Sequence, residues 1–200
     1  MPAQLDLRPA ADRFLAIASG VTDDDLERPT PCDGWTVRDL VDHCLVWTIG
    51  LRLAGEKAPA MARDTVLPTV ANLPDWRATL AEQVRALVDA WRPPAAWEGT
   101  TVAGTLQLPA AVMGRSVLAE LILHGWDLAS ALGAPYPEVD APVDDLTRLF
   151  DGSRDRRPDA TWHPYGAEAP LPDDATPFDR LLASSGRDPR WAPRPLTPGP

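Results

Sequence analysis

The sequence predicts an all-α fold, a bundle of four long helices with short additional helices and room for a small β-hairpin. Four segments carry apolar residues at helical spacing, and glycine- and proline-rich stretches separate them. With 200 residues and a 44% hydrophobic composition, the chain suits one domain with a substantial core. We expect that domain to span residues 1–186, followed by a proline-rich, disordered tail over 187–200.

The first helix is expected over Leu5–Ser19, where Leu7, Ala11, Phe14, Leu15 and Ala18 fall near one face and Pro9 fits an early turn. The stretch "GVTDDDLERPTPCDGW" then breaks any helix through two prolines and the Asp33-Gly34 pair. Thr36 can cap a second helix, "VRDLVDHCLVWTIGLRLAG", with Asp39 at the third following position and Gly55 as a stop. Residues 56–72 read as a loop. In "LPDWRATLAEQVRALVDAW", Trp76, Leu80, Val84, Leu87, Val88 and Trp91 form the stripe of a third helix, which Pro93 and Pro94 end.

Threonine, valine and leucine interrupted by Gly99 and Gly104 make "WEGTTVAGTLQLP" an extended segment or small hairpin. The fourth helix runs from Ala110 to Leu132 with Gly133 as its cap, and "PVDDLTRLFD" and "TPFDRLLASSG" each read as a short capped helix.

Composition narrows the function. There are 19 Lys and Arg against 29 Asp and Glu, so the net charge of -10 repels nucleic acid and anionic membranes. No apolar run reaches the ~20 residues of a membrane helix. The two cysteines, Cys32 and Cys44, form no CxxC pair and no basic, apolar leader follows Met1, so a cytoplasmic protein is expected.

The fourth helix poses a chemical question, because "AELILHGWDLA" places Glu120 and His124 one turn apart, with Asp127 continuing the stripe, inside an apolar run. Such groups are costly to bury unless paired or metal-bound. His43 sits in a similar apolar setting on the second helix, and a bundle can bring it opposite the other two. Two imidazoles and a carboxylate suit Zn²⁺ with an open position. An ion pair or a satisfied core histidine suits the same local pattern, and Asp127 fits a partner of a histidine as well as a ligand.

Cys44 adjoins His43, but helix neighbours differ by about 100°, which makes it a core thiol. Cys32 precedes the second helix with no recognisable base beside it, and His163 in "TWHPYG" reads as a loop histidine with substrate contact as the alternative. Trp35, Trp47 and Trp126 accompany the ligand segments, and packing is their first expected role. No phosphate loop, GxSxG elbow or dinucleotide fingerprint is found in the sequence.

"PTPCDGWTVRDLVDHC" (29–44), "ELILHGWDLASALG" (120–133) and "LPDDATPFDRLLASSGRDP" (171–189) together resemble the single-domain branch of the actinobacterial metal-binding family related to mycothiol-dependent maleylpyruvate isomerase, in the DinB-like superfamily. The resemblance implies a DinB-like four-helix bundle and metal ligands at His43, Glu120 and His124. It further implies zinc as the metal and mycothiol, a low-molecular-weight thiol, as cosubstrate. The expected activity is thiol transfer to, or thiol-assisted isomerisation of, an electrophilic small molecule, with Asp127 as catalytic residue, orienting His124 or meeting the substrate. A thiol-independent metal enzyme (hydrolase, isomerase or cyclase) and a non-catalytic metal- or metabolite-binding bundle are the alternatives.

Overall fold

The computed structural model describes residues 4–137, 142–155 (backbone alone from 151), 167–171 and 173–193. Among these, six α-helices and one hairpin follow in order: α1 (Arg8–Ala18), α2 (Val37–Gly55), α3 (Trp76–Ala90), β1 (Thr100–Ala103), β2 (Leu106–Pro109), α4 (Ala110–Leu132), α5 (Val143–Asp155) and α6 (Pro177–Ser184). The expected mainly helical fold and its small hairpin are both present.

Local chemistry accounts for most boundaries. Pro9 stands in the first turn of α1, where a missing N–H leaves no bond unmade, so the helix starts after Leu7 and not at Leu5. Thr36 and Asp39 form a reciprocal capping box on α2: the Thr36 side chain accepts from the Asp39 N–H, and Asp39 Oδ2 accepts from the Thr36 N–H at 2.9 Å. With the left-handed residue following at Lys57 (φ 56°), α2 ends at the expected Gly55. Its role is close approach, because a Cβ there would lie 2.8 Å from Trp91 Nε1. The Trp91 indole in turn donates to the Leu51 carbonyl at 2.9 Å and ties α3 to α2.

Asp75 caps α3, and after Pro93 the chain makes a 3-10 turn, Pro94–Trp97, before entering the antiparallel hairpin. The Gly99 carbonyl accepts from the Ala110 N–H at 2.9 Å, so the hairpin launches α4 directly. Gly133 closes α4 in the left-handed conformation (φ 66°) as its sequence position predicts.

α1 packs on α4 and α3, and α2 packs on α3 and α4, so the helices run round the bundle in the order α1, α4, α2, α3. α5 and the hairpin also lean on α4, and α6 packs on α5. From Val117 to Ala129, every residue of α4 except half-buried Glu120 is therefore buried. A helix covered all round is normally apolar all round. Glu120, His124 and Asp127 stand on the stretch of chain where an unpaired charge is least tolerable.

Candidate metal centre

His43 on α2 and Glu120 and His124 on α4 come together, with one donor atom from each lying within 4.8 Å of the others. Glu120 Oε2 is 2.9 Å from His124 Nε2 and 3.6 Å from His43 Nε2. The imidazole rings meet edge to face with centroids 4.9 Å apart. His124 is buried, while the His43 side chain is 36% exposed, so the cluster opens to solvent on the α2 side. Trp35 lies against that open side, its ring 5.1 Å from His43, and Trp47 stands behind at 6.5 Å from His124. Trp126 is buried in the core.

Despite these short approaches, Glu120 Oε2 is a buried oxygen with no aligned hydrogen-bond donor. His124 explains why. Its Nδ1 is 2.9 Å from Asp127 Oδ2, which assigns the Nδ1–H to that carboxylate and leaves Nε2 facing Glu120. Two lone pairs 2.9 Å apart repel unless a proton or a cation lies between them. Four donors at about 2.0–2.1 Å around a tetrahedral ion lie about 3.3 Å from one another, so the spacings of 2.9 and 3.6 Å bracket the requirement. The donor set and its orphaned oxygen fit a divalent ion such as zinc.

Electrostatics follow the same pattern. Burial acts to push the Glu120 carboxyl up, but His124 and then His43 outweigh it and hold the carboxyl well below its usual range. For His124, burial favours the neutral ring, yet Glu120 and Asp127 together raise its pKa well above the ordinary histidine value. Cys44 is a buried thiol pushed up to about 12 by desolvation, in keeping with a core role.

Asp127 lies behind the cluster, fully buried, with both oxygens engaged. Oδ2 meets His124 Nδ1 at 2.9 Å, accepts from Arg187 Nη2 at 2.7 Å and from Cys32 Sγ at 3.2 Å; Oδ1 accepts from Arg187 Nε at 2.8 Å. This arrangement acts on the site through His124. Burial would raise the Asp127 carboxyl, but Arg187 and His124 overcome it and hold it at about 2. Cys32, Asp127 and His124 Nδ1 also lie within 4.8 Å of one another, although the Arg187 guanidinium already neutralises that side.

Sequence reasoning named His43, Glu120, His124 and Asp127, and the structure brings all four together. It missed Arg187, the first residue of the expected tail, which is buried against Asp127. A signal was present, since a carboxylate on a helix covered all round requires a cation from elsewhere. It likewise left Cys32 without a neighbour. His163 lies outside the described residues. A cavity of about 260 Å³ lined by Leu5, Arg8, Trp91 and Arg92 among others shares no residue with the cluster.

Fold and cluster define a helical-bundle protein with a two-imidazole, one-carboxylate centre. The chain belongs to the mycothiol maleylpyruvate isomerase N-terminal domain family, whose sequence model matches residues 7–129, more than half of its length. The Uncharacterized protein Rv0738 of Mycobacterium tuberculosis is 28% identical over 182 residues, covering 89% of this chain and 93% of that protein. A second protein of the same organism, Uncharacterized protein Rv0036c, is 29% identical over 159 residues, 68% of this chain and 58% of its own. Among solved structures, the mycothiol-dependent maleylpyruvate isomerase superposes with a TM-score of 0.54 at 21% identity, a likeness of fold. The match covers 72% of this chain and 66% of the isomerase, so this chain spans just under two thirds of that enzyme's length.

Proposed function

We propose that this protein is a zinc-dependent enzyme that uses mycothiol, or a related low-molecular-weight thiol, to transfer sulfur to an electrophilic small molecule or to assist its isomerisation. The observation that carries the reading is the buried Glu120 oxygen, orphaned between two imidazoles on a helix that tolerates no idle charge. Membership of a family named for a mycothiol-using isomerase supports the thiol.

His43, Glu120 and His124 would hold the ion. When bound, zinc supplies Lewis acidity that keeps a thiol ionised at neutral pH. Asp127 fixes the His124 tautomer by accepting its Nδ1–H, which turns Nε2 to the ion. With Arg187 cancelling Asp127, the protein contributes one net negative charge, from Glu120, so the loaded centre is net positive and favours an anionic donor. Trp35 beside half-exposed His43 marks the side from which substrate approaches. No protein nucleophile is required, because the thiol performs that role.

The test is metal content of protein purified without a histidine tag, followed by assay of electrophiles with and without mycothiol. About one zinc per chain, lost in His43→Ala and Glu120→Ala, with turnover only when thiol is present, is the expected result. Turnover that ignores the thiol would assign a thiol-independent metal enzyme instead, and absence of metal after reconstitution would overturn the reading.

A further inference from the structure

We infer that Arg187 is a positioning residue of the metal centre, and that the segment after α6 locks the His124 imidazole through an arginine–carboxylate–histidine relay. Arg187 is 8% exposed and grips both oxygens of Asp127 in the fork geometry that only a guanidinium provides, Nε to Oδ1 at 2.8 Å and Nη2 to Oδ2 at 2.7 Å. Asp127 is thereby held against His124 Nδ1. The pair is separated by 60 residues of chain, so the contact is a purchase of the closing segment on α4.

How the segment delivers this side chain is legible in its backbone. Gly186 takes the left-handed conformation (φ 86°) just after α6, its N–H donates to the Ala183 carbonyl at 2.9 Å, and the Arg187 N–H donates to the Leu182 carbonyl at 2.9 Å. This pair of bonds is the Schellman closure, which reverses the chain at a fixed angle. α6 itself is anchored by the Tyr136–Phe178 stack (5.9 Å, 15°), and Tyr136 donates to the Ile122 carbonyl of α4 at 3.0 Å. Ser185 then accepts from Arg187 Nη1, on its side chain at 3.2 Å and its carbonyl at 3.4 Å, so the guanidinium is held from behind. Each step is a hydrogen bond or a ring contact, from α4 back to α4.

Charge and position make opposite claims about zinc. A guanidinium near the site repels a cation, so if Arg187 acted by charge alone its removal would tighten binding. If it acts by fixing Asp127 and His124, removal weakens binding by about the 10–100-fold that partners of metal ligands typically contribute. Lysine separates the two, since it keeps the charge and loses the fork.

The experiment compares wild type, Arg187→Met, Arg187→Lys and Thr176→Ala by chelator competition for zinc and by the low-field proton resonance of His124 Nδ1–H in metal-free protein, assigned by its absence in His124→Gln. Thr176→Ala loosens the cap of α6 without touching the relay. We expect weaker zinc binding by about tenfold or more in Arg187→Met, a smaller loss in Arg187→Lys, and a shifted or exchange-broadened resonance in both, with Thr176→Ala like wild type. Unchanged or tighter zinc with an unmoved resonance in the arginine variants would overturn the inference, as would an equal loss in Thr176→Ala. The zinc arm rests on the proposed metal function. Should wild type bind no zinc, that function fails, while the resonance still decides the relay.

Discussion

His124 Nε2 and Glu120 Oε2 face one another over 2.9 Å on adjacent turns of α4, and the oxygen has no aligned donor. In the metal-free protein a proton on His124 Nε2 has to lie between them, in line with the raised pKa of that ring, and a divalent ion that takes its place and binds only the folded state would stabilise the protein. At a free zinc concentration 100 times Kd the gain is about 2.7 kcal/mol. Denaturant unfolding with and without zinc should show it, and Glu120→Gln should abolish the difference. A zinc response retained in Glu120→Gln would remove Glu120 from the site.

Asp127→Asn should be costly in two separate assays. The Arg187 guanidinium would lose its charged partner in a buried setting, a change on the order of 3–5 kcal/mol in unfolding free energy. The amide can also present its NH₂ to His124 Nδ1 and so favour the wrong tautomer, with zinc affinity falling about 10–100-fold. Stability near wild type would mean that water reaches this pair.

Gly114 faces Trp97 so closely that an added Cβ would lie 2.4 Å from the indole Cζ3. The Trp97 Nε1–H is fixed on the Trp91 carbonyl at 2.7 Å, so the ring cannot retreat freely. Gly114→Ala should therefore destabilise by about 1–3 kcal/mol despite alanine's better helix propensity. A neutral or stabilising effect in chemical denaturation would show that the Trp91–Trp97 pair yields.

The Thr36–Asp39 box at the head of α2 gives a pH signature. Hydrogen bonds from the Thr36 hydroxyl and N–H hold the Asp39 carboxyl below its ordinary value. A depressed pKa contributes stability that is fully present above the unfolded value, about 3.9, and is lost as pH falls through the folded value. Thr36→Ala should cost roughly 0.5–2 kcal/mol at neutral pH, and its deficit relative to wild type should shrink below about pH 4. An unchanged deficit in acid would assign the effect to the Thr36 hydroxyl alone.

Much of this architecture is written locally. Thr36 with Asp39, and Gly133, each settle a helix end by contacts within a few residues, and the structure agrees with both; Thr176 with Asp179 caps α6 in the same local way. The apolar stripe of α3, from Trp76 to Trp91, is buried as its spacing requires. Why a glycine stands at the end of α2 is not legible locally, because the Trp91 ring that Gly55 accommodates comes from the end of α3. For the site, Glu120 and His124 share a face by helix pitch alone, whereas the approach of His43 depends on how α2 lies against α4. Arg187 was illegible for a stronger reason. Its partner is Asp127, 60 residues away, and its proline-rich surroundings point outward by composition while the Gly186 turn sends its side chain inward.

The family segment matched in this chain runs from residue 7 to residue 129 and so contains His43, Glu120, His124 and Asp127, but not Arg187. The proposed centre consequently straddles the boundary of the unit by which its family is recognised. Anyone transplanting that unit into another scaffold would carry over every donor atom and leave behind the counterion that makes Asp127 tolerable in the core. A graft of this kind needs a cation supplied from the host, aimed at the back of α4, before its front can be expected to work.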